Sequence, residues 1–123
     1  MEFDKLSNRV IGCALEVHRE LGPGLLESTY EQCLAYELTR SGIRFELQYP
    51  QPVNYKGVLI DCAYRIDVLV ERSIILELKS VEELKRIHEA QLLTYMKLAN
   101  VSLGLLINFN SPMLKDGIKR FVL

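Results

Sequence analysis

Asp67 is followed, after nine residues, by Glu77-Leu78-Lys79, so two acids and a lysine fall where a β-hairpin would gather them. Glu77 and Lys79 are two apart and share one face of a strand. With Glu71-Arg72-Ser73 as a three-residue loop, Val70 pairs with Ile74 and Asp67 falls opposite Glu77. Cβ atoms so placed lie roughly 4.5–5.5 Å apart. Alternation then puts Arg65, Asp67, Leu69, Ile75, Glu77 and Lys79 on one side. Ile66, Val68, Val70, Ile74, Leu76 and Leu78 take the other. A two-residue loop would send Asp67 to the wrong face.

Two carboxylates meeting in an apolar sheet repel each other and lose hydration. A divalent cation removes that conflict, and hard oxygen donors suit Mg²⁺ or Mn²⁺. Such an ion activates water and polarises a phosphoryl oxygen. Lys79 would add a compact positive charge for a nucleophilic water or a developing phosphorane. The competing reading makes Asp67, Glu77, Lys79 and Arg65 a structural ion-pair network.

The elements that must position these residues follow from periodicity. Leu6, Val10, Cys13/Ala14, Val17 and Leu21 recur at helical spacing, until Gly22-Pro23-Gly24 stops the helix. A second helix is expected from Leu26 to Thr39, ended by Ser41-Gly42. Ile43, Phe45, Leu47 and Tyr49 then alternate as a half-buried strand, and Pro50 and Pro52 mark its end. Val53 to Ile60 reads as a hairpin turned at Lys56-Gly57. Strands over Ala63–Val70 and Ile74–Lys79 follow. A helix over Ile87–Leu98 comes next, with Ser80-x-x-Glu83 as a capping pair ahead of it. Strands at Leu103–Phe109 and Ile118–Val122 complete a sheet flanked by helices.

The Asp67…Glu77-x-Lys79 spacing resembles the PD-(D/E)xK signature of the restriction-endonuclease-like superfamily. Gly24-Leu25-Leu26-Glu27-Ser28-Thr29-Tyr30 resembles the motif that names the GxxExxY family within it. His88-Glu89-Ala90-Gln91-Leu92-Leu93-Thr94-Tyr95 resembles that family's Gln-x-x-x-Tyr element. The similarity runs from about His18 to Asn108. Ile66 stands where the signature often has proline, a frequent departure.

The resemblance implies an α/β fold with a restriction-endonuclease-like αβββαβ core and a mixed central sheet flanked by helices. It further implies Asp67 and Glu77 as metal ligands, Lys79 as the catalytic lysine, and Glu27 as the helix-borne acid completing the metal site. Glu27 and Tyr30 share a helix face, and Glu27 sits in the first turn, where the helix dipole alone would favour it. Tyr30 is a candidate substrate contact. Gln91 and Tyr95 are one helical turn apart, with His88 on the same face. Gln91 and Tyr95 are candidates for orienting water, and His88 for touching the substrate backbone. Tyr95 also has a core-facing reading. His18 reads as a packing or capping residue.

The chain has 123 residues, 49% of them hydrophobic and 25% charged, which fits a single domain over residues 1–123 and excludes wholesale disorder. Three cysteines without a CxxC pair and only two histidines argue against zinc and for free thiols in a reducing compartment. No signal peptide and no bilayer-length apolar run are visible, so the expected location is cytoplasmic.

The expected activity is Mg²⁺- or Mn²⁺-dependent hydrolysis of phosphodiester bonds in DNA, or RNA. The alternative is a catalytically silent interaction or regulatory module on the same fold. With 15 basic and 16 acidic side chains the net charge is −1, and the basic residues are scattered. One divalent ion adds +2 and brings the total to +1. Binding to nucleic acid is therefore expected to be weak and salt-sensitive, and a homodimer would help a chain this small.

Overall fold

The computed structural model describes residues 2–123, with side chains from residue 5 onward. Helix α1 (Glu2–Leu21) and helix α2 (Glu27–Arg40) lead into strand β1 (Phe45–Pro50). A small hairpin, β2 (Val53–Tyr55) and β3 (Val58–Ile60), precedes β4 (Arg65–Val70) and β5 (Ile74–Lys79). Helix α3 (Arg86–Ala99), β6 (Leu103–Asn108), a 3₁₀ turn (Leu114–Gly117) and β7 (Ile118–Val122) complete the chain. Element types match the sequence reading throughout, and boundaries differ mostly by a residue or two.

Five strands form one mixed sheet in the order β1-β4-β5-β6-β7, and β5–β6 is its parallel pair. Helix α3 makes the crossover that a parallel pair requires. The β2–β3 hairpin forms a separate two-stranded sheet, turned at Lys56 and Gly57, both at positive φ (51° and 85°). That is the backbone a tight type I′ turn demands.

Each face of the sheet carries its own apolar cluster. On one side Val10, Ala14 and Val17 of α1 and Leu34 and Leu38 of α2 pack on Val68, Val70, Leu76, Leu78, Leu105 and Ile107. On the other, Leu92, Tyr95 and Met96 of α3 pack on Ile66, Leu69, Ile75 and Leu106. Fully burying one such aliphatic side chain is worth about 1.5–3 kcal/mol. Gly104 lets α3 sit close, since a Cβ there would lie 2.6 Å from Met96 Sδ and 2.9 Å from Leu92 Cδ1.

The expected three-residue loop forms. Val70 pairs with Ile74, Leu69 with Ile75 and Val68 with Leu76, which carries Asp67 opposite Glu77. The strict alternation expected along β4 does not hold. Val68 faces α1 and α2, whereas Ile66, assigned to the same side from sequence, faces α3. Strand β1 changes sides at the matching step, with Leu47 against the α1/α2 cluster and Tyr49 against the α3 cluster. Leu47 pairs with Val68 and Tyr49 with Ile66, so Gln48 and Asp67 are the residues left between those pairs. Gln48 takes a left-handed backbone, φ 50°. The register runs on unchanged through this step, so the left-handed residue, and no inserted one, re-aims the side chains there.

The turn ahead of α3 is not capped by Ser80 and Glu83 as expected, and α3 itself starts on a cap of its own. His88 Nδ1 accepts the Lys85 backbone N–H (3.0 Å). Ser80 instead turns back to the segment just ahead of α2, its hydroxyl donating to the Leu25 carbonyl (2.6 Å).

Candidate metal and active site

The ends of β4 and β5 part at Asp67 and Glu77, and side chains take over from the ladder. The Asp67 backbone N–H donates to Glu77 Oε2 (2.9 Å), and the Leu78 backbone N–H donates to Asp67 Oδ2 (2.8 Å). Glu77 is 4% exposed and Asp67 is half-buried. Burial, and then the neighbouring Asp67 carboxylate, push the Glu77 carboxyl up to about 8. Burial also raises Asp67, against the Leu78 amide, Lys79 and Gln48, which favour its charged form. Loss of hydration is the leading cause in both cases.

The structural ion-pair network is not what forms. The ion pairs among the described residues are Arg19–Glu16, Arg72–Glu46 and Lys119–Glu89, and none involves Asp67 or Glu77. Lys79 is close enough to favour both charged carboxylates without closing a salt bridge to either. It ends β5 beside Asn108, the last residue of β6. Asn108 is 3% exposed. Its side chain both accepts from and donates to the Val81 backbone (3.1 and 2.9 Å), which pins the chain just after Lys79. The site thus lies beyond the carboxyl ends of the parallel pair, where α/β sheets commonly bind ligands.

Glu27 is exposed at the first turn of α2, and its Oε2 accepts the Ser80 backbone N–H (3.3 Å). This brings the helix-borne acid to the end of β5, and its charge acts on both Asp67 and Glu77. A cleft of about 230 Å³ is lined by Glu27, Ser28, Glu31, Gln48, Asp67 and Leu78. Among the described residues no three His, Cys, Asp or Glu side chains form a ready-made metal cage. Glu27 stands beside the acid pair, lining the same cleft as Asp67. Two desolvated carboxylates without a salt-bridged cation still fit Mg²⁺, which typically binds through one or two carboxylates and keeps several waters.

The other expected residues divide. Tyr95 is buried on the α3 side, where burial and then the Glu77 charge push its hydroxyl above its ordinary value. Its ring meets Tyr64 edge-on at 6.1 Å. Gln91 is exposed one turn earlier.

Tyr30, expected to touch substrate, is fully buried and stacks on Phe109 with ring centroids 4.5 Å apart. Its hydroxyl donates to the Gly22 carbonyl (2.6 Å) and accepts the Leu25 N–H (3.1 Å), so it shapes the turn that delivers Glu27. His88, also expected at the substrate, caps α3 and lines a different cleft with Val81, Glu82, Glu83 and Lys85. His18 Nε2 hydrogen-bonds the Ser111 carbonyl (2.8 Å), in keeping with a packing role.

Two lining residues were not legible beforehand as parts of the site. Glu31 lies one helical turn after Glu27, a spacing that could have flagged it. Gln48 gave no signal, because its place depends on an irregular backbone that strand alternation does not reveal.

Among the described residues no helix is long and apolar enough to cross a membrane. No curated protein and no solved structure matches the chain. The family model of the PD-(D/E)XK nuclease superfamily matches residues 4–121, nearly the full length, including the acid pair and Lys79. Members of that superfamily generally use divalent metals and act on nucleic acid. A mixed sheet flanked by helices, with paired carboxylates at its parted strands, and a family match spanning the same elements together establish that this chain belongs to the PD-(D/E)XK nuclease superfamily.

Proposed function

We propose that the chain is a Mg²⁺- or Mn²⁺-dependent phosphodiesterase that hydrolyses DNA, or RNA, in the cytoplasm. Within the superfamily we assign it to the GxxExxY group, on Gly24, Glu27 and Tyr30 and on Gln91 and Tyr95. The observation that carries the reading is the Asp67–Glu77 pair, two desolvated acids facing each other with no salt bridge to neutralise them. A divalent ion held by Asp67 and Glu77 would supply the charge they lack and the means to activate water and polarise a phosphoryl oxygen.

The chain's own groups have complementary tasks. Lys79 places a positive charge beside the acids, where a phosphorane would gather negative charge. Glu27 extends the acidic wall from α2 and can accept a proton or orient a water. Gln91 and Tyr95 donate from the α3 side. Calorimetric titration with Mn²⁺, wild type against Glu77→Ala, tests the reading together with Mg²⁺- and Mn²⁺-dependent cleavage of single- and double-stranded DNA and RNA. Heat and cleavage in wild type, both absent in the variant, are expected. Negligible heats in both proteins would overturn it.

A second reading, an interaction module without catalysis, has one observation behind it. The residues lining the cleft include three acids and no lysine or arginine, an unfavourable wall for phosphate unless a cation is bound. Metal uptake without cleavage of any nucleic acid would favour that reading. We expect a homodimer to enlarge the surface available to nucleic acid, and sedimentation of the purified chain reads this directly.

A further inference from the structure

The geometry points to Gln48 as a positioning residue that aims the Asp67 carboxylate, with Glu31 as its anchor. This rests on the metal reading above and extends it to residues outside the Asp…Glu-x-Lys set. Gln48 Nε2 donates to Glu31 Oε1 at 2.7 Å and to Asp67 Oδ1 at 3.5 Å. An amide nitrogen carries two hydrogens, so it can serve two ionised carboxylates, which only accept. The short bond fixes the amide, and the longer one lies at the limit of hydrogen bonding and steers Asp67.

The Leu78 amide holds Asp67 Oδ2 from the opposite side (2.8 Å). Asp67 is thus gripped through both oxygens, by β5 on one side and by β1 on the other. Such partners of a ligating carboxylate set its orientation.

The backbone supports the same inference. Gln48 is held at φ 50°, a region costly for most non-glycine residues, at the step where β1 and β4 both change faces. A regular strand with Leu47 and Tyr49 on one face would leave Gln48 on the other, without the turn toward α2. The left-handed residue allows the side chain to reach both Glu31 on α2 and Asp67 on β4. Gln48 and Glu31 line the same small cleft as Asp67.

The test uses the whole chain and reads Mn²⁺ affinity by calorimetry, with thermal melting as a check on folding. Gln48→Gly removes the amide and accepts the left-handed backbone without strain. Gln48→Asn keeps an amide and tolerates that backbone, but is one methylene too short. Both variants should bind Mn²⁺ about 10-fold or more weakly, the usual effect of removing such a partner, while remaining folded. Glu31→Ala, which frees the amide, should also weaken binding. Glu31→Gln, which keeps an oxygen to accept the bond, should restore it.

Wild-type affinity in both Gln48 variants would overturn the assignment and leave the metal reading standing. Equal losses in Glu31→Gln and Glu31→Ala would overturn the anchoring role of Glu31. No Mn²⁺ uptake by wild type would overturn the metal reading, and the assignment with it.

Discussion

Asp67 and Glu77 each hold a backbone amide of the strand pair they interrupt. Glu77 accepts the amide of Asp67 itself (2.9 Å), and Asp67 accepts that of Leu78, the residue after Glu77 (2.8 Å). The arrangement fixes two carboxyl groups side by side, so the hairpin retains its shape while burial and the neighbouring acid oppose ionisation of Glu77. Stability and metal affinity should therefore respond differently to the same substitutions.

Glu77→Gln keeps an acceptor for the Asp67 amide and removes the group that must ionise to hold a cation. It should melt at or above the wild-type temperature in the absence of metal, yet take up no Mn²⁺ and cleave nothing. Glu77→Ala leaves that amide without a protein partner, which costs about 1–3 kcal/mol where water cannot replace it. Paired melting curves and titrations check both. A wild-type Mn²⁺ isotherm for Glu77→Gln would contradict the role given to this carboxylate.

Stability should also depend on pH with a definite sign. In metal-free protein the Glu77 carboxyl lies at about 8, against an ordinary value of 4.5. Between those values the folded chain holds a proton that the unfolded chain has released, so stability falls as pH rises through the window. The contribution is fully present below the ordinary value and lost above the raised one. Asp67, raised in the same sense, adds to the trend. Chemical denaturation of EDTA-treated protein across this window should give a declining profile, shallower in Glu77→Gln. Because the ligating form is the deprotonated one, Mn²⁺ affinity should rise with pH over the same range.

Replacing Lys79 should separate binding from chemistry. Lys79→Met keeps much of the stem volume and removes the charge that favours ionised Asp67 and Glu77. Mn²⁺ should still bind, since a repelling cation has gone, while cleavage falls about 10²–10³-fold, the scale of losing one stabilising group at a developing charge. Single-turnover cleavage at saturating metal measures it.

Tyr30 should behave as a structural residue. Tyr30→Phe leaves the Gly22 carbonyl and the Leu25 N–H without their shared partner, at a cost of about 1–3 kcal/mol. Thermal melting should register that loss. Mn²⁺ affinity, which we assign to Asp67 and Glu77, should stay close to wild type, and a large drop would show that the turn before Glu27 governs it.

The sequence by itself determined the elements and the pairing at the heart of the site. Helical spacing in α1 and α2, the Lys56-Gly57 turn and the three-residue loop at Glu71-Arg72-Ser73 depend on neighbours a few residues apart, and Asp67 opposite Glu77 follows from that loop. Only the tertiary structure decided which way the side chains face. Strict alternation would place Ile66 with Val68, but the irregular step at Gln48 and Asp67 separates them. Helical spacing likewise put Tyr30 beside Glu27, yet packing on Phe109 buries it, and the demand of the α3 N-terminus for a cap holds His88 elsewhere. The physical reason is that period and turn chemistry are local, whereas the grip of Gln48 and Glu31 on Asp67 joins β1, α2 and β4, whose contacts exist only once the sheet and helix have packed.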